Sequence, residues 1–135
     1  MNIICPSCVQ VDYYWPHIAP YLAKACVRTQ NSTSPAWLYQ QCQNGHSNLL
    51  LGVENDKVIL SAIITFQVRG GENVANICAM GGGSLKLWKQ HFPDLAKWCA
   101  MHGAGSITYT GPKAYARLFP KGEAISMNYK VEIEP

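Results

Sequence analysis

Ala79-Met80-Gly81-Gly82-Gly83-Ser84 is followed by Trp88, by Trp98-Cys99-Ala100 and, beyond an apolar run, by Gly111-Pro112-Lys113-Ala114-Tyr115-Ala116-Arg117. The series reads as strand, glycine loop, helix, strand and short helix. A glycine-rich turn between a strand end and a helix start leaves backbone N–H groups unpaired and turns the positive end of the helix dipole outward. Such a turn accommodates a phosphate or pyrophosphate. Adjacent glycines also mark any turn that needs positive φ, so the order of the surrounding elements carries the reading.

Downstream of the loop, Trp88, Phe92, Leu95, Ala96 and Cys99 form one helical stripe, which Pro93 is expected to kink or break. Gly103 ends that helix. Ser106–Thr110 reads as a strand, Lys113–Phe119 as a short helix and Ala124–Ile133 as a last strand with one buried and one wet face. Upstream, the spacing predicts a strand over Met1–Ile4 and a helix over Tyr14–Arg28 with Pro16 near its first turn. A second helix, Ala36–Gln43, is capped by Ser34 and ends at Asn44-Gly45. Leu49–Val53 and Lys57–Val68 form a hairpin about Glu54-Asn55-Asp56, and Gly70-Gly71 leads into a strand over Val74–Met80. Lys57–Val68 is apolar on both faces and is placed centrally in the sheet, with Ile63, Ile77 and Ile107 expected beneath Trp88, Leu95 and Cys99.

The chain has 135 residues, 48% of them hydrophobic and 14% charged, which fits one globular domain spanning 1–135. A net charge of +3 and a pI near 8.5 are too mild to indicate nucleic-acid binding. Apolar runs fall short of a membrane span, and the N-terminus does not read as a secretory leader, so a cytoplasmic protein is expected. Of the six cysteines, Cys5, Cys8 and Cys42 could join His46 in a four-ligand set. The set lacks a second tight cysteine pair, so no metal is expected and the cysteines are read as reduced and mostly core residues. His17, His46, His91 and His102 read as surface or satisfied histidines. Lys86, Lys89, Lys113 and Arg117 read as a solvated helix face.

The order strand, two helices, three strands, helix, strand, helix, strand resembles the GNAT-type N-acetyltransferases. It is most similar to the small GNAT-like proteins encoded by bacteriophages. Gly81-Gly82, Trp88, Trp98-Cys99-Ala100 before Gly103, and the segment from Gly111 to Arg117 carry that likeness, with Pro112 and Tyr115 departing from its Arg and Trp. The resemblance implies an α/β fold, a mixed, mostly antiparallel sheet flanked by helices. It also implies acetyl-CoA as cofactor, its pyrophosphate held by Gly81, Gly82, Gly83 and Ser84. The Arg/Gln that opens the family's loop motif is absent, Cys78 and Ala79 standing in its neighbourhood.

Acyl transfer to an amine needs a base for the ammonium proton and an acid for the leaving thiolate. Among the acidic residues, Glu72 is nearest to the strand that usually supplies the base, and Tyr115 is the local candidate for the acid. Of three functional readings the first is preferred, because the loop motif lacks its leading residue and no well-placed base is visible, and the other two are its alternatives. The first is a phage accessory or virion-associated protein with a partly degenerate acyl-CoA site, located in the host cytoplasm or the virion and partnered by phage or host proteins. The second is an active N-acetyltransferase acting on a small amine or protein amine. The third is a non-catalytic module that binds a host protein or a nucleic acid.

Overall fold

The computed structural model describes residues 2–29, 34–82, 85–110, 123–125 and 128–132. The elements in chain order are β1 (Asn2–Ile4), a 3-10 turn (Cys8–Gln10), α1 (Val11–Thr29), α2 (Pro35–Gln43), β2 (Asn48–Glu54), β3 (Lys57–Arg69) and β4 (Glu72–Gly81). After these come α3 (Leu85–Met101), β5 (Ser106–Thr110), β6 (Glu123–Ile125) and β7 (Asn128–Glu132). The strands form one seven-stranded sheet in the order β1-β2-β3-β4-β5-β7-β6. All neighbours are antiparallel except β4 and β5. This is the mixed, mostly antiparallel α/β sheet expected from the sequence.

The local chemistry explains most of the element ends. Ser34 caps α2, its Oγ accepting from the Trp37 N–H at 3.2 Å, with Pro35 in the first turn where a missing donor is harmless. Asn55 (φ +51°) and Asp56 (φ +61°) make the two-residue turn of the β2–β3 hairpin, and Gly70 (φ +59°) and Gly71 (φ +81°) make that of β3–β4. Paired positive φ values match the right-handed twist of the flanking strands.

Strand alternation splits the sheet between two cores. Leu50, Leu60, Ala62, Ile64, Ala75, Ile77 and Ile107 face α3, which contributes Trp88, Phe92, Leu95 and Cys99. Leu49, Leu51, Ile63 and Ala79 face α1 and α2, which contribute Val11, Ile18, Leu22, Leu38 and Cys42. Ile63 therefore lies on the opposite face from Trp88, and Ile64 takes the place expected of it, because adjacent strand residues point to opposite faces.

The structure corrects two further expectations and, of the kink or break expected at Pro93, excludes the break. Helix α3 runs through Pro93 without a break. The stripe on both sides of the proline is buried against the sheet, at about 1.5–3 kcal/mol per large apolar side chain, and this outweighs the roughly 3 kcal/mol a proline costs inside a helix. Helix α1 starts earlier than read, at Val11, so Pro16 and Pro20 are both interior. Buried Val11, Ile18 and Leu22 hold it to the sheet. The single last strand is two strands: β6 ends at Ile125 and pairs antiparallel with β7, Ile125 facing Asn128. Alternation within one strand looks the same whether the chain continues or folds back on itself. The expected helix over Lys113–Phe119 lies outside the described residues.

Candidate functional site

Strands β4 and β5 run side by side from Val74 opposite Ser106 to Ile77 opposite Tyr109. Beyond that pair they part. Strand β4 continues along β3 to Gly81, while β5 ends at Thr110 against Asn128 of β7. The cause is a bulge: Ile63 pairs with Ala79 and Ile64 with Ile77, so Cys78 is one residue too many on β4. A bulge bends its strand and strengthens the local twist. Among the described residues, the β5-side edge of β4 from Cys78 to Gly81 therefore offers main-chain donors and acceptors that β5 does not pair, in the middle of a sheet. Backbone groups there call for a partner, and an extended ligand bearing amides supplies one.

The glycines at the end of β4 have packing reasons of their own. A Cβ on Gly81 would lie 3.0 Å from Tyr21 Cβ and 3.1 Å from Ser61 Oγ, so α1 crosses β4 so closely that any larger residue would have to push these neighbours aside by a few tenths of an ångström. Gly82 has φ +79°, and a Cβ there would lie 2.9 Å from the Ile59 carbonyl oxygen. The Gly82 carbonyl accepts from the Trp88 indole Nε1–H at 2.9 Å, tying the end of β4 to the first turn of α3. Gly83 and Ser84 lie outside the described residues, as does Tyr115. Glu72 opens β4 opposite Arg69, six residues or roughly 20 Å of strand from Cys78.

On the α1–α2 side of the sheet, next to the parting strands, runs a chain of neutral polar side chains. Thr108 Oγ1 donates to Asn76 Oδ1 at 2.9 Å, and Asn76 Nδ2 reaches Cys78 Sγ at 3.6 Å. Cys78 Sγ lies 3.2 Å from Thr65 Oγ1, which lies 2.9 Å from Ser47 Oγ. Thr65, Asn76 and Cys78 are half-buried, with Ser47 and Thr108 buried. Tyr21, against Gly81, is 49% exposed at the rim. None of these residues was singled out from the sequence as a site. Their signal was there all the same: Thr65, Asn76 and Thr108 are polar positions on the buried faces of otherwise apolar strands.

The other sequence candidates fall elsewhere. Cys8 Sγ lies 3.7 Å from where a Gly45 Cβ would be, which brings the Cys5–Cys8 segment to the corner of Cys42 and His46. Burial pushes the Cys42 thiol up to about 12, with smaller contributions from Cys78, Cys5 and Cys8; Cys5, exposed as a residue, is raised by the partial desolvation of its sulfur and by the neighbouring Cys8. Among the described residues no group of three His, Cys, Asp or Glu is arranged to hold a metal ion. The cysteines are less uniformly core than expected. Cys42 and Cys99 are buried, Cys78 is half-buried, and Cys5 and Cys8 are exposed because the turn that carries them lies at the sheet's edge beside β1. His91 pairs with Asp94 at 3.5 Å, and His102 stacks on Trp98 with ring centroids 4.0 Å apart. Among the described residues no helix is long and apolar enough to cross a membrane.

Comparison with solved structures agrees with this architecture. A GNAT family acetyltransferase from Brucella melitensis, crystallised in complex with acetyl-CoA, superimposes with a TM-score of 0.67 at 10% identity, over 99% of this chain and 88% of that one. A ribosomal-protein-alanine N-acetyltransferase from Brucella melitensis biovar Abortus 2308 gives 0.64 at 11% identity, over 93% and 92%. An aminoglycoside 6'-acetyltransferase type Ii gives 0.62 at 14% identity, over 100% and 99%. No protein-family model and no curated protein sequence matches the chain. The fold is that of the GNAT acetyltransferases.

Proposed function

We propose that this chain is an acyl-CoA-dependent N-acyltransferase that takes acetyl-CoA into the opening between β4 and β5. The observation that carries the reading is the parting of these strands after Ile77 and Tyr109, driven by the extra residue Cys78. The edge of β4 from Cys78 to Gly81 would pair with the amides of the pantetheine arm. Gly81, Gly82, Gly83 and Ser84, entering α3, would hold the pyrophosphate at the helix N-terminus. Two structural neighbours, the Brucella enzyme above and a predicted acetyltransferase from Clostridium acetobutylicum, were crystallised with acetyl-CoA, which supports the same ligand here. Tyr115, following β5 in the chain, is retained as the candidate acid for the leaving thiolate. Glu72, at the far end of β4, stays outside the reacting centre in this reading.

The test is ligand-dependent melting. Ligand at about 100 times its Kd adds roughly 2.7 kcal/mol of stability, a rise of several degrees for a domain of this size. Acetyl-CoA and CoA should both produce it, with pantetheine and ADP, each carrying half of the contacts, producing less. No rise at millimolar acetyl-CoA would leave a protein that has the fold without its cofactor, the accessory reading.

A further inference from the structure

The side chains beside the opening indicate what kind of amine the site accepts, and this inference rests on the acyltransferase reading. The floor on the α1–α2 side consists of Asn76, Cys78, Thr65 and Thr108, joined by hydrogen bonds and continued by Ser47. Their side chains are one amide, one thiol and hydroxyls, with no carboxylate among them. Tyr21 is half-exposed at the rim, directly against Gly81. One and two turns back on the same side of α1, His17 and Tyr13 are exposed as well.

An alkylammonium, with a pKa near that of lysine at about 10.4, arrives charged. It would lose water against amide, hydroxyl and thiol groups with no counter-charge among them, and burying an unpaired charge is strongly unfavourable. It would also have to lose a proton before its nitrogen could attack, yet the acidic residue of β4, Glu72, lies at the opposite end of that strand. An amine that is already uncharged at neutral pH avoids both problems. An aromatic ring on that amine gains a stacking partner in Tyr21.

We infer that the acceptor is a weakly basic amine borne on an aromatic ring, its ring against Tyr21 and its nitrogen over Asn76 and Cys78. In the transfer, the nitrogen lone pair forms a bond to the thioester carbonyl carbon and the carbon–sulfur bond breaks. One proton passes from nitrogen to the departing sulfur, leaving an N-acetylarylamine and CoA thiol. Asn76 and Cys78 orient the nitrogen in this scheme, and the Thr65–Ser47 chain fixes Cys78.

The experiment uses the whole chain with acetyl-CoA and three acceptors, 4-methoxyaniline, benzylamine and spermidine, following CoA thiol release. Melting with acetyl-CoA is recorded in parallel. The expected result is a kcat/KM for 4-methoxyaniline at least about tenfold above that for benzylamine, which has the ring but a charged nitrogen, with spermidine lowest. Tyr21→Ala should raise KM for the arylamine about five- to tenfold with little change in kcat, and Tyr21→Phe should restore it. Faster acetylation of benzylamine or spermidine, or no acetylation of any of the three despite an acetyl-CoA melting rise, would overturn the acceptor class and leave the acyl-CoA reading standing. No melting rise would remove both. An unchanged KM in Tyr21→Ala would take the ring off Tyr21.

Discussion

The Trp88 indole nitrogen donates to the Gly82 carbonyl at 2.9 Å, across the junction where β4 gives way to α3. Trp88 is only 8% exposed and packs in the same core as Phe92 and Leu95, so one side chain anchors the helix and also turns the loop's carbonyl inward. Gly82 is thereby tied to the core beneath it, before any ligand arrives.

Truncating that anchor separates its two contributions. Trp88→Ala should lower stability by about 3–5 kcal/mol, the range for deleting a buried aromatic. Trp88→Phe keeps most of the apolar volume and leaves the Gly82 carbonyl without its donor, at about 1–3 kcal/mol. Urea unfolding of the three proteins measures both, and a Phe variant as stable as the parent would mean that the hydrogen bond contributes nothing net.

Two glycines of similar φ should respond very differently to alanine. Gly70 has φ +59° with nothing within 4 Å of a Cβ, so Gly70→Ala should lose only the left-handed penalty of about 1–2 kcal/mol. Gly82 has the same penalty plus a contact of 2.9 Å to the Ile59 carbonyl, so Gly82→Ala should lose clearly more, with or without acetyl-CoA. Equal losses in denaturant unfolding would show that the β3 backbone gives way freely.

Ser106 Oγ is buried and, among the described residues, lacks a hydrogen-bond partner. An unsatisfied buried hydroxyl lowers stability. Ser106→Ala should therefore leave stability unchanged or raise it by about 1 kcal/mol. A loss of that size in thermal or urea unfolding would reveal a partner for the hydroxyl.

Alkaline pH should destabilise the fold through its buried thiols. Burial pushes both Cys42 and Cys99 up to about 12, from the 9.0 of a free thiol. Between pH 9 and 12 the unfolded chain gives up these protons while the folded one keeps them, so stability is intact below pH 9 and falls as pH rises through that window. The slope is at most about 1.4 kcal/mol per pH unit for each thiol. Cys99→Ala should reduce the pH-dependence of the urea midpoint between pH 8 and 10 while lowering stability at both. An unchanged slope would show that Cys99 ionises as easily folded as unfolded.

The sequence alone determined the elements whose signals are local. Ser34-Pro35 started α2, Asn55-Asp56 and Gly70-Gly71 turned the hairpins, and the stripe from Trp88 to Cys99 marked the face α3 buries. Caps, turns and helical periodicity depend on residues a few positions apart, so they are written contiguously. Tertiary structure decided everything that depends on two strands or a strand and a helix meeting. The extra residue at Cys78 is defined only by what β3 places opposite it. The parting of β4 and β5 exists only because two distant segments pair and then stop pairing. Gly81 looked like part of a phosphate loop, and its nearest neighbour proves to be Tyr21, some sixty residues earlier in the chain. Thr65, Asn76, Cys78 and Thr108 come from three strands and became one floor only when the sheet's register brought them side by side.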